Sequence, residues 1–313
     1  MGSVPTTIRI GARGSELSRW QAKRVAALLR SAYPSLAVEL VTIETSGDRM
    51  LETPLPLLGG KGAFTAELEV ALLGGDIDLA VHSLKDLPTK QQPGLTVGAI
   101  VRRDSVVDAL VSRNGGTLAG LAPGAAVGTS SLRRSAQVLR IRPDLHPVSI
   151  RGNVGTRLRK VFAPDQGYDA IVLARAGLER LGQLDVISEE LSLDVMLPAP
   201  GQGALAVQCR DDPAMVTFLK PVHHLATALA TASERAFLAA LGAGCSAPVA
   251  ALAWVVRSEL WLHGRVLAHD GSAHVDVHVR ASVHDLAAAE ALGERAAERA
   301  LARGASALLK AGP

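Results

Sequence analysis

The chain has 313 residues, of which 48% are hydrophobic, 20% charged and 3% aromatic, and its formal net charge is +3. This composition excludes a disordered protein, which has few apolar residues and a high net charge. Two cysteines argue against a disulfide scaffold and favour a reducing compartment. No signal-peptide segment opens the sequence, and no apolar run approaches the ~18–20 residues of a membrane span. We expect a cytoplasmic protein of two or three folded units.

The first hundred residues alternate strand-like and helix-like segments, which indicates a parallel or mixed α/β sheet. A stretch rich in glycine and proline, residues 44–64, interrupts this alternation with the composition of a long mobile loop. The predicted strands are TIRIGAR, AVELVTI, DIDLAVHS and LTVGAIV, and the predicted helices are ELSRWQAKRVAALLRSA and AELEVALLGG.

The same alternation begins again near residue 104 and predicts a second α/β unit, followed by the rigid connector LPAPGQG at 197–203 and a strand, ALAVQCR. From about residue 220 the pattern changes to a long helix, three strands with a hairpin turn at 269–271, and an Ala-rich helix over 284–310. This last part predicts a smaller α+β unit. The predicted elements of the second unit are the strands DALVSR, AAVGTS, HPVSIRG and YDAIVLA and the helices SLRRSAQVLRI, VGTRLRKVF and AGLERLG.

Hydroxyl and arginine side chains cluster where a strand of the second unit gives way to a helix. Thr129, Ser130 and Ser131 stand at the helix start, and Arg133 and Arg134 follow in its first turn. Exposed N–H groups, the positive helix end and two guanidinium groups together form an anion site. Ordinary N-capping with two solvated arginines accounts for the same residues. This stretch alone does not decide between the two interpretations.

Three further strand ends carry arginine, and this repetition favours the anion site. Ligands of open α/β sheets bind beyond the carboxyl ends of the strands, and arginine grips carboxylate and phosphate groups through paired hydrogen bonds. The sequence therefore predicts a cleft for a ligand with several carboxylates or phosphates. The residues at these strand ends are Arg13 with Ser15, Arg151 with Arg157, and Arg175 with Arg180.

One acidic residue lies among these basic ones. Asp86 follows a predicted strand together with Ser83 and Lys85. It is either a turn or helix-cap aspartate, or a carboxylate that faces developing positive charge or exchanges a proton.

The two cysteines lie in different surroundings. Small residues surround Cys245 and leave room for an attached group, although a buried, inert thiol also accounts for its position. Cys209 lies in an alternating strand and is most simply a core residue.

Other site classes are disfavoured by the sequence. The nine histidines lack ligand spacing with cysteines or carboxylates, so we predict no metal site. The segment GGKG at 59–62 lacks the spacing of a phosphate-binding P-loop. Low net charge and scarce aromatic residues count against nucleic-acid binding.

Taken together, the segments that carry these residues resemble the porphobilinogen deaminase (hydroxymethylbilane synthase) family over essentially the whole chain. The resemblance implies a transferase that condenses four porphobilinogen molecules head to tail with loss of ammonia, primed by a dipyrromethane cofactor on a cysteine thioether. The segments, in the family's order, are GGKGAF, AVHSLKDLP, GTSSLRR, RGNVGTRL, LPAPGQGAL and GAGCSAP.

The resemblance also implies a fold of two doubly wound α/β domains, like those of periplasmic binding proteins, and a smaller α+β domain. Domain 1 would comprise residues 1–103 and 200–219, domain 2 residues 104–199, and domain 3 residues 220–313 with the cofactor cysteine. The family expectation is a monomer without metal, nucleic-acid partner or membrane association.

Site roles follow from the same resemblance, motif by motif. Cys245 would carry the cofactor, and Asp86 would be the catalytic carboxylate that stabilises positive charge on the pyrroles. Lys61 and Phe64 would belong to a mobile loop over the cleft. The cofactor would contact Ser83, Lys85, Asp86, Thr129, Ser130, Ser131, Arg133 and Arg134, and substrate and the growing chain would contact Arg13, Ser15, Gln21, Arg151, Arg157 and Arg180.

The chain departs from the family pattern in that loop. Leu57 stands where many relatives have a basic residue, and Ser46 replaces the arginine of a TRGD segment. Both changes remove charge, so we do not carry over the loop's contacts. A non-catalytic polycarboxylate binder on the same scaffold is the alternative, and it would need neither Asp86 nor Cys245.

Overall fold

A computed structural model describes residues 5–45, 65–242 and 247–310. Its contacts divide the chain into two units, Met1–Arg103 with Ala204–Ala228 and Asp104–Gly203 with Leu229–Pro313. We refer to these as the first and the second unit. The predicted separation of residues 104–199 from 220–313 as two domains stays a prediction.

The strands and helices are numbered along the described part of the chain. The strands are β1 (Thr7–Arg13), β2 (Ala37–Ile43), β3 (Leu79–Ser83), β4 (Leu95–Ile100), β5 (Asp108–Ser112), β6 (Ala126–Gly128), β7 (His146–Val148), β8 (Ala170–Ala174), β9 (Glu189–Glu190), β10 (Leu205–Arg210), β11 (Val249–Val256), β12 (Glu259–Leu267) and β13 (His274–Ser282). The helices are α1 (Glu16–Ala32), α2 (Ala66–Gly74), α3 (Leu132–Ile141), α4 (Val154–Phe162), α5 (Arg175–Arg180), α6 (Pro213–Leu219), α7 (Leu225–Ala240), α8 (Leu286–Ala302) and α9 (Ala305–Lys310).

The first unit is built on a five-stranded sheet of order β2-β1-β3-β10-β4. β1 pairs in parallel with β2 and β3, whereas β10 runs antiparallel to both β3 and β4. α1 covers the sheet because Ala22, Val25 and Leu29 repeat at helical spacing and are buried against it. The apolar alternation of β1 places Ile8 and Ile10 in the same core.

The second unit contains a five-stranded sheet with the same plan, of order β7-β6-β8-β5-β9. β6 pairs in parallel with β7 and β8, and β5 is the antiparallel strand in the fourth position. Two sheets with one strand order confirm the predicted pair of doubly wound domains of the periplasmic-binding-protein type. In each sheet the strands in the second and third positions are parallel, so their carboxyl ends lie at the same edge. Candidate site residues follow these strand ends.

The second unit also contains the antiparallel sheet β11-β12-β13, and this confirms the smaller α+β part. α7 and α8 supply its core, in which Phe237 is fully buried and Gly264 of β12 leaves room for the Phe237 ring. The prediction of a single helix over 284–310 is wrong. α8 ends before Gly304, whose φ of +92° breaks the helix, and α9 follows.

None of the described helices is both long enough and apolar enough to cross the hydrocarbon core of a bilayer.

Candidate active site

In the first unit, predicted site residues lie at the carboxyl ends of β1 and β3, which are neighbours in the sheet. Arg13 is the last residue of β1 and Ser83 the last of β3. Ser15 caps α1 by accepting a hydrogen bond from the Ser18 N–H at 3.2 Å. Gln21, buried on α1, donates from Nε2 to Ser83 Oγ at 2.8 Å. The hydrogen bond from Gln21 to Ser83 therefore ties α1 to the carboxyl end of β3.

Lys85 and Asp86 lie on a one-turn 3₁₀ helix, Leu84–Asp86, directly after β3. The turn is anchored from beneath, because Leu84 and Leu87 are buried and the Leu84 N–H donates to the Ala204 carbonyl at 3.0 Å. The anchors leave Lys85 half-buried and Asp86 exposed. A rigid turn thus presents an accessible carboxylate beside an ammonium group.

A residue missed at the sequence level, His82, lies behind this turn. His82 is buried, and its Nε2 lies 3.0 Å from Gln208 Oε1, while Gln208 Nε2 donates to Glu69 Oε1 at 3.2 Å. Because a carboxylate only accepts, Glu69 fixes the Gln208 amide so that its oxygen faces His82, which donates from Nε2. Burial lowers the pKa of His82 to about 4, and the charge of Arg13 acts in the same direction. His82 is a neutral, fixed imidazole. A polar residue inside an apolar strand was the available signal.

In the second unit, Arg133 and Arg134 lie in the first turn of α3 and are 4% and 7% exposed. Both pair with Asp108, the fully buried first residue of β5, at 2.8 Å from Arg133 Nη2 and 2.7 Å from Arg134 Nη2. The alternative of two solvated arginines is therefore wrong. Burial lowers the pKa of Arg133, and the charge of Asp108 opposes this shift.

The two guanidinium groups use the same atoms, Nη1 and Nη2, for their contacts with the protein. Arg133 Nη1 donates to the Leu197 carbonyl at 2.7 Å, and Arg134 Nη1 donates to the Val172 carbonyl at 3.0 Å. In the part of the chain that the structure describes, both Nε atoms are buried without a hydrogen-bond partner. Buried N–H donors without a partner are rare, and here they are two neighbouring donors on cations.

Asp108 and Gln202 belong to the same buried cluster as the two arginines, and the sequence analysis missed both. Gln202 Nε2 donates to Asp108 Oδ1 at 2.9 Å and to the Val106 carbonyl at 2.7 Å. The LPAPGQG segment, predicted as a rigid connector, also supplies this contact. An aspartate that opens an otherwise apolar strand was the signal for a buried partner.

The hydroxyl groups before α3 differ in what they do. Ser131 is the N-cap residue, but its side chain makes no capping hydrogen bond, while Thr129 Oγ1 accepts from the Ser131 N–H at 3.2 Å. Ser130 Oγ donates to the Ile150 carbonyl at 2.7 Å and accepts from the Ile150 N–H at 3.2 Å. Ser130 therefore ties the ends of β6 and β7 together.

The remaining arginines lie in two places. Arg151 follows β7 and is half-buried, and Arg157 on α4 donates from Nε to the Gly152 carbonyl at 2.8 Å, so these two share one turn. Arg180 is buried at the end of α5, where it pairs with Asp104 at 2.8 Å and donates to the Gly203 carbonyl at 2.8 Å. Its side chain is thus already engaged within the unit.

The structure places one of the two cysteines, Cys209. Cys209 is fully buried in β10, and burial raises the pKa of its thiol to about 11, which confirms an inert core residue. Cys245, Lys61 and Phe64 lie outside the described residues.

Comparison with known families identifies this arrangement. Residues 8–217 match the family described as "Porphobilinogen deaminase, dipyromethane cofactor binding domain", and residues 228–302 match "Porphobilinogen deaminase, C-terminal domain". The chain belongs to the porphobilinogen deaminase family. The porphobilinogen deaminase of Syntrophotalea carbinolica is 48% identical over 307 residues, which are 98% of this chain and 96% of that protein. That of Moorella thermoacetica is 47% identical over 304 residues, 97% of this chain and 96% of that protein.

This membership makes the chain a transferase of tetrapyrrole biosynthesis that acts on porphobilinogen and uses a dipyrromethane cofactor. The comparisons support this activity and not the non-catalytic polycarboxylate binder.

The described residues fit that cofactor, which carries an acetate and a propionate on each pyrrole. Two buried guanidinium groups with unused Nε donors and a helix start whose N-cap hydroxyl makes no capping bond are the donor set that carboxylates require.

Proposed function

We propose that this chain condenses four porphobilinogen molecules to hydroxymethylbilane with Asp86 as its catalytic carboxylate and Cys245 as the attachment point of the cofactor. The observation that carries the proposal is the buried Arg133–Asp108–Arg134 cluster with its two unused Nε donors. When bound, the dipyrromethane would supply a covalent primer from which the tetrapyrrole is built.

Arg133 and Arg134 would hold cofactor carboxylates from the N-terminal end of α3. Their Nε–H groups remain for an anion after the Nη groups have engaged Asp108 and two backbone carbonyls. Charge-assisted hydrogen bonds of this kind are about twice as strong as neutral ones. The other proposed cofactor contacts are Ser83, Lys85, Asp86, Thr129, Ser130 and Ser131.

Asp86 would act on the reacting pyrroles. Its exposed carboxylate can accept a hydrogen bond from a pyrrole N–H and offset the positive charge that develops on the substrate as ammonia leaves. The arginines cannot do this, because they would oppose that charge. The half-buried Lys85 beside it would bind a carboxylate.

Substrate and the growing chain would be bound by the remaining strand-end residues. Each added unit brings two carboxylates, so several fixed cations are needed. We assign Arg13, Ser15 and Gln21 of the first unit and Arg151, Arg157 and Arg180 of the second unit to this role, and Lys61 and Phe64 to a loop over the reacting groups.

We further propose a cytoplasmic monomer that binds no nucleic acid and is built from the three domains predicted above. The low net charge of +3 and the two cysteines support the absence of nucleic-acid binding and the reducing compartment.

Intact-mass measurement of the purified protein, before and after incubation with porphobilinogen, tests the assignment. We expect the wild type to carry or acquire the mass of two deaminated porphobilinogen units, and Cys245→Ser to acquire none. Cys209→Ser is the matched control and should behave as the wild type. A wild type that neither carries the added mass as purified nor gains it on incubation would contradict the proposed function, and added mass on Cys245→Ser would show that another residue carries the cofactor.

A further inference from the structure

Gln137 lies on α3 one turn after Arg133 and is fully buried. Its Nε2 donates to the Leu197 carbonyl at 3.0 Å and to the Arg133 carbonyl at 3.3 Å. Its Oε1 accepts from the Leu197 N–H at 2.8 Å and from Arg265 Nη1 at 3.2 Å. The amide therefore uses its two donors and two acceptor positions, which is an unusually large number of hydrogen bonds for one core side chain.

The Leu197 peptide is shared between Gln137 and Arg133. Its carbonyl accepts from Gln137 Nε2 and, at 2.7 Å, from Arg133 Nη1. Because Gln137 holds both the N–H and the carbonyl of Leu197, it fixes the acceptor that aims the Arg133 guanidinium. The second fixed point of that guanidinium is Asp108, and the Nε–H direction follows from the two together.

Arg265 fixes the amide in turn. It lies on β12 of the three-stranded sheet, is 4% exposed, and makes a bidentate pair with Asp276 at 2.7 and 2.8 Å. Burial would raise the pKa of Asp276, but the two hydrogen bonds from Arg265 hold it below its ordinary value, so the pair stays charged. Since arginine only donates, the amide oxygen of Gln137 must face Arg265 and its nitrogen must face Leu197.

We propose that Gln137, oriented by Arg265 of the C-terminal sheet, is a positioning residue that sets the direction of the Arg133 guanidinium toward the cofactor carboxylates. This inference rests on the proposed function, which assigns Arg133 to the cofactor. It gives the C-terminal sheet a part in cofactor capture that is separate from the cysteine.

The rate of cofactor acquisition tests the inference. Apoprotein is incubated with porphobilinogen, and the gain of two pyrrole units is followed by intact mass, together with the thermal midpoint of the apoprotein. Gln137→Met, which keeps the size and removes every hydrogen bond of the amide, should acquire the cofactor about tenfold more slowly than the wild type. Val277→Ala, a cavity in the core of the same C-terminal sheet, should lower the midpoint and leave the rate unchanged.

A double-mutant cycle separates positioning from a general structural role. If Gln137 acts through Arg133, Gln137→Met should slow acquisition in the wild type and have little further effect on Arg133→Leu. Equal slowing in both backgrounds would overturn the inference, as would wild-type acquisition by Gln137→Met.

Arg265→Lys serves if Gln137→Met does not fold. Lysine keeps the charge opposite Asp276 and loses the fork that reaches Gln137, so acquisition should slow several-fold, and an unchanged rate would overturn the inference. A wild type that gains no mass would overturn the proposed function itself, and the inference with it.

Discussion

The two five-stranded sheets share one strand order but hold their candidate residues in opposite ways. Asp86 is exposed on a short turn that is anchored by buried leucines on either side. Arg133 and Arg134 are buried around Asp108, with every Nη group engaged. In the proposed function, Asp86 must meet four successive substrates and therefore needs access. Arg133 and Arg134 would hold one resident group, and fixing them in advance would help because little freedom is then lost when the group binds.

We expect the largest effect on stability from loss of the buried charge of Asp108 in the second unit. Asp108→Asn keeps the volume but leaves two buried guanidinium groups without their counter-charge. Removal of one partner of a buried ion pair costs about 3–5 kcal/mol, so the free energy of unfolding, measured by urea titration, should fall by about that amount.

Asp104→Asn is the matched control, because Asp104 also pairs with a buried arginine but is itself 42% exposed at its side chain. We expect a much smaller loss. Equal losses in the two variants would contradict the view that the Asp108 cluster is a desolvated, pre-positioned site.

The next largest effect on stability is expected from His82 in the first unit, and it depends on pH. His82 has a folded-state pKa of about 4 against about 6.5 in the unfolded chain. The unfolded state therefore binds a proton that the native state refuses as the pH falls from about 6.5 to 4, and stability decreases. The loss reaches about 3 kcal/mol at pH 4. Above about pH 7 His82 contributes no pH dependence.

His82→Gln should remove most of that slope, as measured by the free energy of unfolding against pH. His223→Gln is the control: burial lowers the pKa of this half-buried histidine too, so its removal should flatten the curve less. An unchanged slope in His82→Gln would show that the imidazole is not neutral and buried as described.

Local periodicity and turn residues predicted much of the fold. The helix VGTRLRKVF and the strand TIRIGAR begin and end at the predicted residues, because each has a clear helical or alternating pattern bounded by polar or turn residues. The terminal helix was predicted as one because its composition continues past Gly304, whose φ depends on how the chain packs.

The site could be predicted less completely. Arg133 and Arg134 were recognised from their place at a strand–helix junction, but their burial depends on Asp108, which is 25 or 26 residues away in sequence. The same holds for Gln208 of β10, which lies opposite Ala80 only because a late strand enters the first sheet antiparallel. Such contacts are made by topology, and no short pattern contains them.

The central claim is that the exposed Asp86 carboxylate carries the chemistry. The most direct test is the turnover of Asp86→Asn prepared as holoenzyme, with its mass and thermal midpoint measured on the same sample. We predict a retained cofactor, an unchanged midpoint and a kcat reduced by about 10²–10⁴-fold, the size expected for loss of a positioned carboxylate. A variant that carries the cofactor and turns over within a few-fold of the wild type would contradict the account.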